Sequence, residues 1–264
     1  MAIEGLLFKI RRGEGPFYSR LKQFIISVIF FNLPAPRIIL RPLYELLIIW
    51  RFSSHFILEK LFYVPIFKAR CEKCGRGLSL PNGIPWIEGN LKIRIGDYAS
   101  LDNASLVSGR SHKEMILTIG DRTEIGHMTS MSVGKSITIG NDCLIAAGCF
   151  IADNGGHPLN PQRRLNREPV SQDEIGPIII EDNVWIGKGS VILRGVTIGR
   201  GSIVAANSLV ARSAPPYSIL MGVPAKLIMS GIDRAFKAGG TAPRDDVRGC
   251  DKKQLIKIEY GMFF

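Results

Sequence analysis

The sequence predicts a mainly β solenoid preceded by a helical segment, and the main reason is a period of six. Aliphatic residues recur at every sixth position of the C-terminal half, at Ile180, Ile186, Ile192, Ile198, Val204 and Val210. Four residues after each one lies a small or β-branched residue: Val184, Ser190, Val196, Ser202, Ser208 and Ala214. Because helices repeat every 3.6 residues and strands every 2, this period indicates a triangular solenoid with six residues to a side.

The repeat is expected to span residues 93–230, after a lead-in at 71–92. The first half of this range contains sequences typical of the corners of such a solenoid. Ile-Gly-Asp or Ile-Gly-Asn begins at Ile95, Ile119 and Ile139. Glycine permits a positive φ at a corner, and Asp or Asn side chains bond nearby backbone donors. Three sides of six make a coil of about 18 residues, so the sequence predicts about five coils stacked over about 24 Å.

Residues 1–70 have a different character and are predicted to be helical. Cations at Lys9, Arg11, Arg12, Arg20 and Lys22 precede three apolar stretches, at about 24–31, 43–50 and 56–63. None reaches about 18 uninterrupted apolar residues, and no signal-peptide cleavage site follows, so we expect neither a spanning helix nor a leader. Short apolar helices with aromatic residues and flanking cations are typical of a membrane interface. A helical subdomain packed on the solenoid or on another subunit is the alternative.

Composition excludes several classes of protein. The chain has 264 residues and a net charge of +11, but its Lys and Arg residues are scattered, so we expect no nucleic-acid partner. Five cysteines do not indicate a secreted disulfide framework. Cys71 and Cys74 could be half of a zinc site, but no second half follows, so a thiol pair without metal is expected. Residues 231–264 form a polar, non-repetitive tail.

The rhythm breaks between residues 153 and 178, and this excursion carries His157. A solenoid has no need of so long a break, and long excursions from a regular scaffold tend to carry function. An imidazole can take a proton from a hydroxyl or an amine near neutral pH, which acyl transfer to such a group requires. A surface histidine in a flexible loop is the simpler alternative.

Four motifs together with the hexads resemble those of the hexapeptide-repeat acyltransferase family, in particular the maltose and galactoside O-acetyltransferases and acetyltransferases of surface-polysaccharide clusters. They are Gly156-His157-Pro158, Asp182-Asn-Val-Trp-Ile-Gly, Gly195-Val-Thr-Ile-Gly and Gly222-Val-Pro-Ala-Lys. The resemblance covers about residues 93–230. It implies a left-handed parallel β-helix, a homotrimer, and acetyl-CoA as co-substrate between neighbouring prisms, with no metal.

The resemblance also implies roles for particular residues. His157 would be the general base that deprotonates an acceptor hydroxyl for direct attack on the thioester. Trp185 would line the active-site cleft, and Arg212 and Lys226 would lie near the phosphates of CoA. The segments matching those that bind the pantetheine arm contain Gly187, Lys188, Ala205 and Ala206.

The acceptor site departs from that of the sugar acetyltransferases. Their acceptor-binding Asn, one coil before the histidine, is replaced by Gly126-His127-Met128-Thr129-Ser130. The expected acceptor contacts are His127, Thr129, Ser130 and Asn154. The acidic N-terminal motif of those enzymes is replaced by the cationic, apolar segment 1–70. We therefore expect a glycan or glycolipid acceptor, such as a lipid-linked glycan at a membrane surface, and a cytoplasmic enzyme peripheral to the inner face of the plasma membrane.

Three other functions compete with this interpretation. An N-acetyltransferase acting on an amino sugar or an antibiotic would keep the chemistry and change the acceptor. A γ-class carbonic anhydrase would need three zinc-binding histidines, but His55, His112, His127 and His157 include no close pair. A non-catalytic, structural β-helix would have no need of the His157 excursion.

Overall fold

The computed structural model describes residues 2–32, 36–109 and 114–233. The chain divides into two compact units, Met1–Ser53 and Ser54–Phe264, which are described separately. The predicted tail lies outside the described residues beyond Asp233, and so does His112.

The second unit is built from three sheets of short strands. The first sheet contains β1 (Lys73–Cys74), β3 (Leu91–Ile95), β6 (Met115–Ile119), β9 (Ser136–Ile139), β12 (Ile178–Ile180) and β15 (Thr197–Ile198). The second contains β4 (Ser100–Leu101), β7 (Glu124–Ile125), β10 (Leu144–Ile145), β13 (Trp185–Ile186), β16 (Ile203–Val204), β18 (Ser218–Gly222) and β19 (Ala225–Ser230). The third contains β2 (Trp86–Glu88), β5 (Ser105–Ser108), β8 (Ser130–Val133), β11 (Phe150–Ala152), β14 (Val191–Ile192) and β17 (Leu209–Val210).

The chain visits the three sheets in turn, and each strand pairs in parallel with the equivalent strand of the next coil. The predicted parallel β-helix is therefore confirmed. Only the last pair, β18 with β19, is an antiparallel hairpin among the described strands. The six aliphatic residues of the rhythm and the small residues four positions after them are all buried. They form one continuous core along the axis of the prism.

The β-helix starts earlier than expected. β1 and β2 lie within the predicted lead-in, and they pair with β3 and β5. The structure thus has six coils rather than about five, because the first and third sheets each contain six strands. The first coil was hidden in the sequence because a loop with Pro81 and Pro85 interrupts the six-residue rhythm between the buried Leu80 and the partly buried Ile87.

A helical turn covers the N-terminal end of this core. The chain passes through a π-helical turn, Glu59–Tyr63, and a helix, α4 (Val64–Arg70). Phe67 of that helix is fully buried in the core. The buried Glu59 carboxylate accepts hydrogen bonds from the Leu80 backbone N–H at 2.9 Å and the Ser79 hydroxyl at 3.1 Å. The last seventeen residues of the predicted helical segment, 54–70, therefore belong to the β-helix unit.

The first unit consists of helices. They are α1 (Ala2–Arg12), α2 (Pro16–Ile29) and the first part of α3 (Arg37–Leu58). Neither α2 nor α3 contains a buried residue. Their large apolar side chains are exposed instead, up to 90% for Ile38. Within the described residues, no helix is both long enough and apolar enough to cross a membrane.

Candidate active site

The excursion leaves the prism after β11 and returns at β12, so it projects from the edge between the third and first sheets, here named the loop edge. It contains a short helix, α5 (Pro161–Leu165), and a 3₁₀ turn at Gln172–Glu174. Pro161 stands at the first helical position, and the Asn160 side chain accepts hydrogen bonds from the N–H groups of Gln162 and Arg163.

Asp153 ties the start of the excursion to the preceding coil. Its carboxylate is fully buried and accepts hydrogen bonds from three successive backbone N–H groups, those of Gly134, Lys135 and Ser136. The last two bonds are each 2.8 Å long. A buried carboxylate is tolerated where several donors satisfy its oxygens, and here the donors belong to the turn between β8 and β9. The excursion therefore begins from a rigid corner.

Asn154 extends this network to the loop that carries the histidine. Its side-chain oxygen accepts a hydrogen bond from the Gly156 N–H at 2.8 Å. Its Nδ2 donates to the Asp153 carboxylate at 2.9 Å and to the Ser132 carbonyl and hydroxyl at 3.2 and 3.3 Å. All polar atoms of the side chain are thus used inside the protein, and the residue is 7% exposed. The structure gives Asn154 the role of a loop anchor rather than that of an exposed acceptor contact.

A cleft of about 780 Å³ lies between the excursion and the third sheet. Its floor is a column of residues at equivalent positions of three coils, Glu88, Val107 and Ser132. Its other wall is the second half of the excursion, with Arg164, Arg167 and residues 168–170. Asn154, Gly156 and His157 line it where the excursion leaves the sheet.

His157 is exposed and faces this cleft. Among the described residues, none forms a hydrogen bond or an ion pair with its imidazole. Both ring nitrogens are therefore free to meet a ligand, and a neutral imidazole can accept a proton from a bound hydroxyl. The structure thus brings the predicted base to the mouth of a cleft that can hold a ligand.

A second group of predicted residues lies at another edge of the prism. This edge joins the second and third sheets and is here named the small-residue edge. It is formed by residues 126–128, 146–148, 187–189 and 205–207. A Cβ atom on Gly187 would lie 2.5 Å from the Ala206 backbone nitrogen, so only glycine fits where these two coils touch. Lys188 is exposed at this edge, and its carbonyl accepts a hydrogen bond from the Asn207 N–H at 2.8 Å.

Trp185 lies on the outer face of the second sheet, directly before the small-residue edge. It is half-buried, between Leu144 and Ile203 of the adjacent coils. Arg212 is exposed at the loop edge, beyond the last strand of the third sheet. Lys226 is exposed on the terminal hairpin, opposite Met221. The predicted CoA contacts are therefore distributed over two edges and one end of the β-helix.

The expected acceptor contacts before the histidine need correction. Thr129 is fully buried, and its hydroxyl donates to the Ala146 carbonyl at 3.2 Å, so it cannot contact an acceptor. The six-residue period already predicts that Thr129 is buried, because it stands four residues after the core residue Ile125. Ser130 begins β8 at the small-residue edge and does not line the cleft described above. His127 also lies at the small-residue edge, with its Nδ1 atom 3.6 Å from the Asp102 carboxylate.

The structure adds cleft residues that the sequence did not reveal. Ser132 follows Ser130 by two positions in β8, so both point outward, but Ser132 lies at the end of the strand next to the loop. Glu88, Arg164 and Arg167 were also missed. The two arginines meet Glu88 and Ser132 only because the excursion folds back onto the third sheet. No local sequence pattern predicts this contact between distant segments.

The four cysteines within the described residues have no part in this site. Cys143 and Cys149 are buried core residues, as expected, and burial raises the pKa of both thiols. Burial also raises the pKa of Cys71, to about 12, with a further contribution from Cys74. Within the described part of the chain, no three His, Cys, Asp or Glu residues are grouped to hold a metal ion.

Comparisons with known proteins agree with this architecture. The family model described as "Bacterial transferase hexapeptide (six repeats)" matches residues 177–212, and "Hexapeptide repeat of succinyl-transferase" matches residues 116–152. An N-acyltransferase from Bacillus cereus, solved with dTDP and coenzyme A, superposes with a TM-score of 0.52 at 22% identity, covering 66% of this chain and 95% of that one. This likeness shows the fold.

Two relatives from Escherichia coli (strain K12) are more similar in sequence. Galactoside O-acetyltransferase is 34% identical over 141 residues, which cover 46% of this chain and 68% of the relative. A proposed lipopolysaccharide biosynthesis O-acetyl transferase, WbbJ, is 32% identical over 122 residues, which cover 43% of this chain and 60% of the relative. Both alignments leave about half of this chain unmatched. Together with the hexads and the coiled architecture, these matches show that the chain belongs to the hexapeptide-repeat acyltransferase family.

Proposed function

We propose that the protein is an acetyl-CoA-dependent O-acetyltransferase that acetylates a sugar hydroxyl, with His157 as the general base. The observation that carries this proposal is the position of His157, which is exposed at the mouth of the cleft in the one long break of the repeat. The resemblance places a catalytic histidine at this motif, and a galactoside O-acetyltransferase is among the relatives.

The reaction needs one base and no covalent intermediate. An imidazole nitrogen of His157 takes the proton of the acceptor hydroxyl while its oxygen attacks the thioester carbonyl. A new C–O bond forms, the C–S bond breaks, and the departing sulfur takes the proton from the imidazolium. The products are the acetyl ester and free CoA. Asp153 and Asn154 hold the histidine loop against the corner between β8 and β9, so that the base is kept next to the cleft.

The separation of the predicted residues supports a homotrimer. His157 and Arg212 lie at the loop edge, whereas Lys188 and Ala206 lie at the small-residue edge. One side of the prism, six residues at about 3.3 Å each, spans up to about 20 Å between the two edges. An acetyl-CoA molecule that contacts residues of both edges therefore fits better between two copies of the chain. The loop edge of one copy would face the small-residue edge of the next. Light scattering should give three times the 29.2 kDa chain mass.

The first unit supports a position at a membrane surface. Its helices expose apolar and aromatic side chains such as Phe30, Trp50 and Phe52, and residues 1–53 contain eight Lys or Arg residues against three Glu. Apolar side chains next to cations are what an anionic bilayer surface binds. We propose that this unit brings the enzyme to a lipid-linked glycan, a precursor of a surface polysaccharide.

Flotation of the full chain with vesicles tests the membrane proposal. With vesicles that contain phosphatidylglycerol, the wild-type protein should float with the lipid. The double variant Phe30→Glu/Trp50→Glu should stay at the bottom of the gradient. Ile84→Glu, which adds one charge at an exposed residue of the β-helix unit, serves as the control. If the floating fraction contained the same amount of wild-type protein with and without vesicles, the proposal would be contradicted.

Acetyl transfer from radiolabelled acetyl-CoA tests the function. The full chain is offered a membrane glycolipid fraction and soluble sugars side by side. We expect base-labile label in a glycan, more of it in the glycolipid fraction, and none with His157→Ala. Label that resists mild base would indicate an amide and therefore N-acetylation, and equal labelling by His157→Ala would remove the histidine from the mechanism.

A further inference from the structure

The excursion contains three arginines, Arg163, Arg164 and Arg167, and the first two hold it together. Arg163 donates to the Glu168 carboxylate at 2.8 Å and to the Pro169 carbonyl at 3.1 Å. Arg164 donates to the Pro158 and Leu159 carbonyls at 2.9 and 2.8 Å. These bonds close the excursion on itself and explain why both positions need a guanidinium.

Arg167 has no such task. Among the described residues, no hydrogen bond or ion pair involves its guanidinium, although it lines the cleft that contains His157. Its guanidinium is positively charged and presents a planar fork of donors suited to carboxylates and phosphates. Its charge is therefore available to a ligand.

The backbone at Arg167 is one where glycine is expected. Arg167 follows the C-cap residue of α5 and has a φ of 54°. Its N–H donates to the Arg164 carbonyl at 3.1 Å, and the next N–H, of Glu168, donates to the Arg163 carbonyl at 3.0 Å. This is the reversal that ends many helices, and glycine is preferred at the residue with positive φ. An arginine there keeps a strained backbone although, among the described residues, its guanidinium forms no hydrogen bond or ion pair that offsets the strain, and strained residues cluster at functional sites.

The other charges of the cleft leave an excess of positive charge on this wall. Two carboxylates line the cleft in the described residues, those of Glu88 and Glu168. Glu168 is neutralised by Arg163, and this partner holds its pKa below the ordinary range. Glu88 lies on the floor, two rungs from Ser132, about 10 Å away along the ladder. Arg164 and Arg167 thus face the cleft without a paired carboxylate.

We propose that Arg167 binds a carboxylate or phosphate carried by the acceptor, so that the enzyme selects an anionic sugar. This inference rests on the proposed function. The anion belongs to the acceptor rather than to CoA because His157 must meet the thioester, and the long pantetheine arm separates that thioester from the CoA phosphates. A cation that shares the cleft with the base therefore faces the second substrate.

Kinetics with three matched acceptors test the proposal on the full chain. Methyl galactoside is neutral, whereas methyl galacturonide and galactose 1-phosphate carry a carboxylate and a phosphate. We expect wild-type kcat/KM to favour the anionic acceptors, and Arg167→Gly to lower their kcat/KM about 10- to 100-fold, as expected for loss of a hydrogen bond to a charged group. The neutral acceptor should change little, and Arg167→Lys should keep part of the preference.

Arg167→Gly is a favourable variant because glycine relaxes the positive φ, so the melting temperature should stay the same or rise. Arg122→Gly is the matched control. It also removes an exposed arginine with positive φ (53°), but that arginine lies at a different corner of the prism, paired with Asp142 at 2.6 Å. It should leave the acceptor preference unchanged.

Two readouts separate this inference from the proposed function. Calorimetry without acetyl-CoA measures binding of galacturonide and galactose 1-phosphate, and Arg167→Gly should abolish it even if neither sugar is acetylated. Calorimetry with CoA should give the same affinity for the wild type and Arg167→Gly. Weaker CoA binding by the variant, an equal loss for neutral and anionic acceptors, or no binding of either anion by the wild type would each overturn the proposal.

Discussion

The side-chain oxygen of Asn154 accepts a hydrogen bond from the backbone N–H of Gly156 at 2.8 Å, and this bond joins the rigid edge of the prism to the loop that carries His157. Asn154 is itself held by Ser132 and Asp153. The proposed base, His157, therefore directly follows a residue that is bonded to this polar network. We infer that Asn154 positions His157 and does not itself take part in the chemistry.

Replacing Asn154 by Ala should lower kcat at least about tenfold and leave the KM for acetyl-CoA nearly unchanged. The variant frees the loop, so fewer bound complexes have the base in place, whereas the cofactor contacts remain. Asn166→Ala, in the exposed part of the same excursion, is the matched control and should retain activity. A rise in KM with an unchanged kcat would show that Asn154 binds a substrate instead.

Asp153→Ala should destabilise the β-helix unit. The change leaves three backbone N–H groups at residues 134–136 without their acceptor. Each is a bond to a buried carboxylate, so the free energy of unfolding should fall by at least about 2 kcal/mol. Urea denaturation measures this, with Asp173→Ala, an exposed acid of the same excursion, as the control. Equal stabilities would mean that the corner does not depend on this carboxylate.

Glu59→Gln should reduce stability in a manner that depends on pH. Burial raises the pKa of Glu59, but hydrogen bonds from Lys60, the Leu80 N–H and Ser79 outweigh it, and the pKa ends below its ordinary value of 4.5. A carboxyl group with a lowered pKa stabilises the fold in full above the unfolded value and loses this contribution as the pH falls through the folded value.

The unfolding free energies of the wild type and Glu59→Gln should therefore differ most above about pH 5 and converge below the ordinary pKa of 4.5. Glu72→Gln, in which an exposed carboxylate with a lowered pKa is replaced, is the control and should show a smaller difference. A difference between wild type and Glu59→Gln that stays constant down to pH 3 would exclude the carboxylate charge as the cause.

The Cys71 thiol should resist alkylation. Burial raises its pKa to about 12, so almost none of the reactive thiolate is present at pH 8. Iodoacetamide labelling followed by peptide mass mapping should modify Cys71 far more slowly than glutathione at the same pH, and labelling should become fast after denaturation. Rapid labelling of the folded protein would show that the thiol is exposed or activated.

The scaffold could be predicted from the sequence because the inward positions from Ile180 to Ala214 obey one period. Ile180 and Val184 mark two inward positions of the first sides after the break, and the same offset places Thr129 inside, although its hydroxyl suggested a ligand contact. The first coil was not predicted because its Pro-containing loop interrupts the rhythm between Leu80, which is fully buried, and Ile87, which is partly buried.

The cleft could be predicted only in part. His157 was found because the break in the rhythm is visible in the sequence. Ser132 and Arg167, by contrast, come from segments separated by more than thirty residues, and they share a cleft only because the excursion folds back onto the third sheet. Contacts of this kind depend on the path of an irregular segment, which no period describes. Asn154, predicted as an acceptor contact, lines the cleft, but its side chain is buried and its polar atoms are bonded within the protein.

The most direct test of the central claim is the ratio of kcat/KM between wild type and His157→Asn in acetyl transfer to a sugar acceptor, with the affinity for CoA measured in parallel. General base catalysis contributes about 10²- to 10⁴-fold, so we expect kcat/KM to fall within that range while CoA binds both proteins equally. A variant that transfers acetyl groups at the wild-type rate would contradict the assignment of His157 as the base.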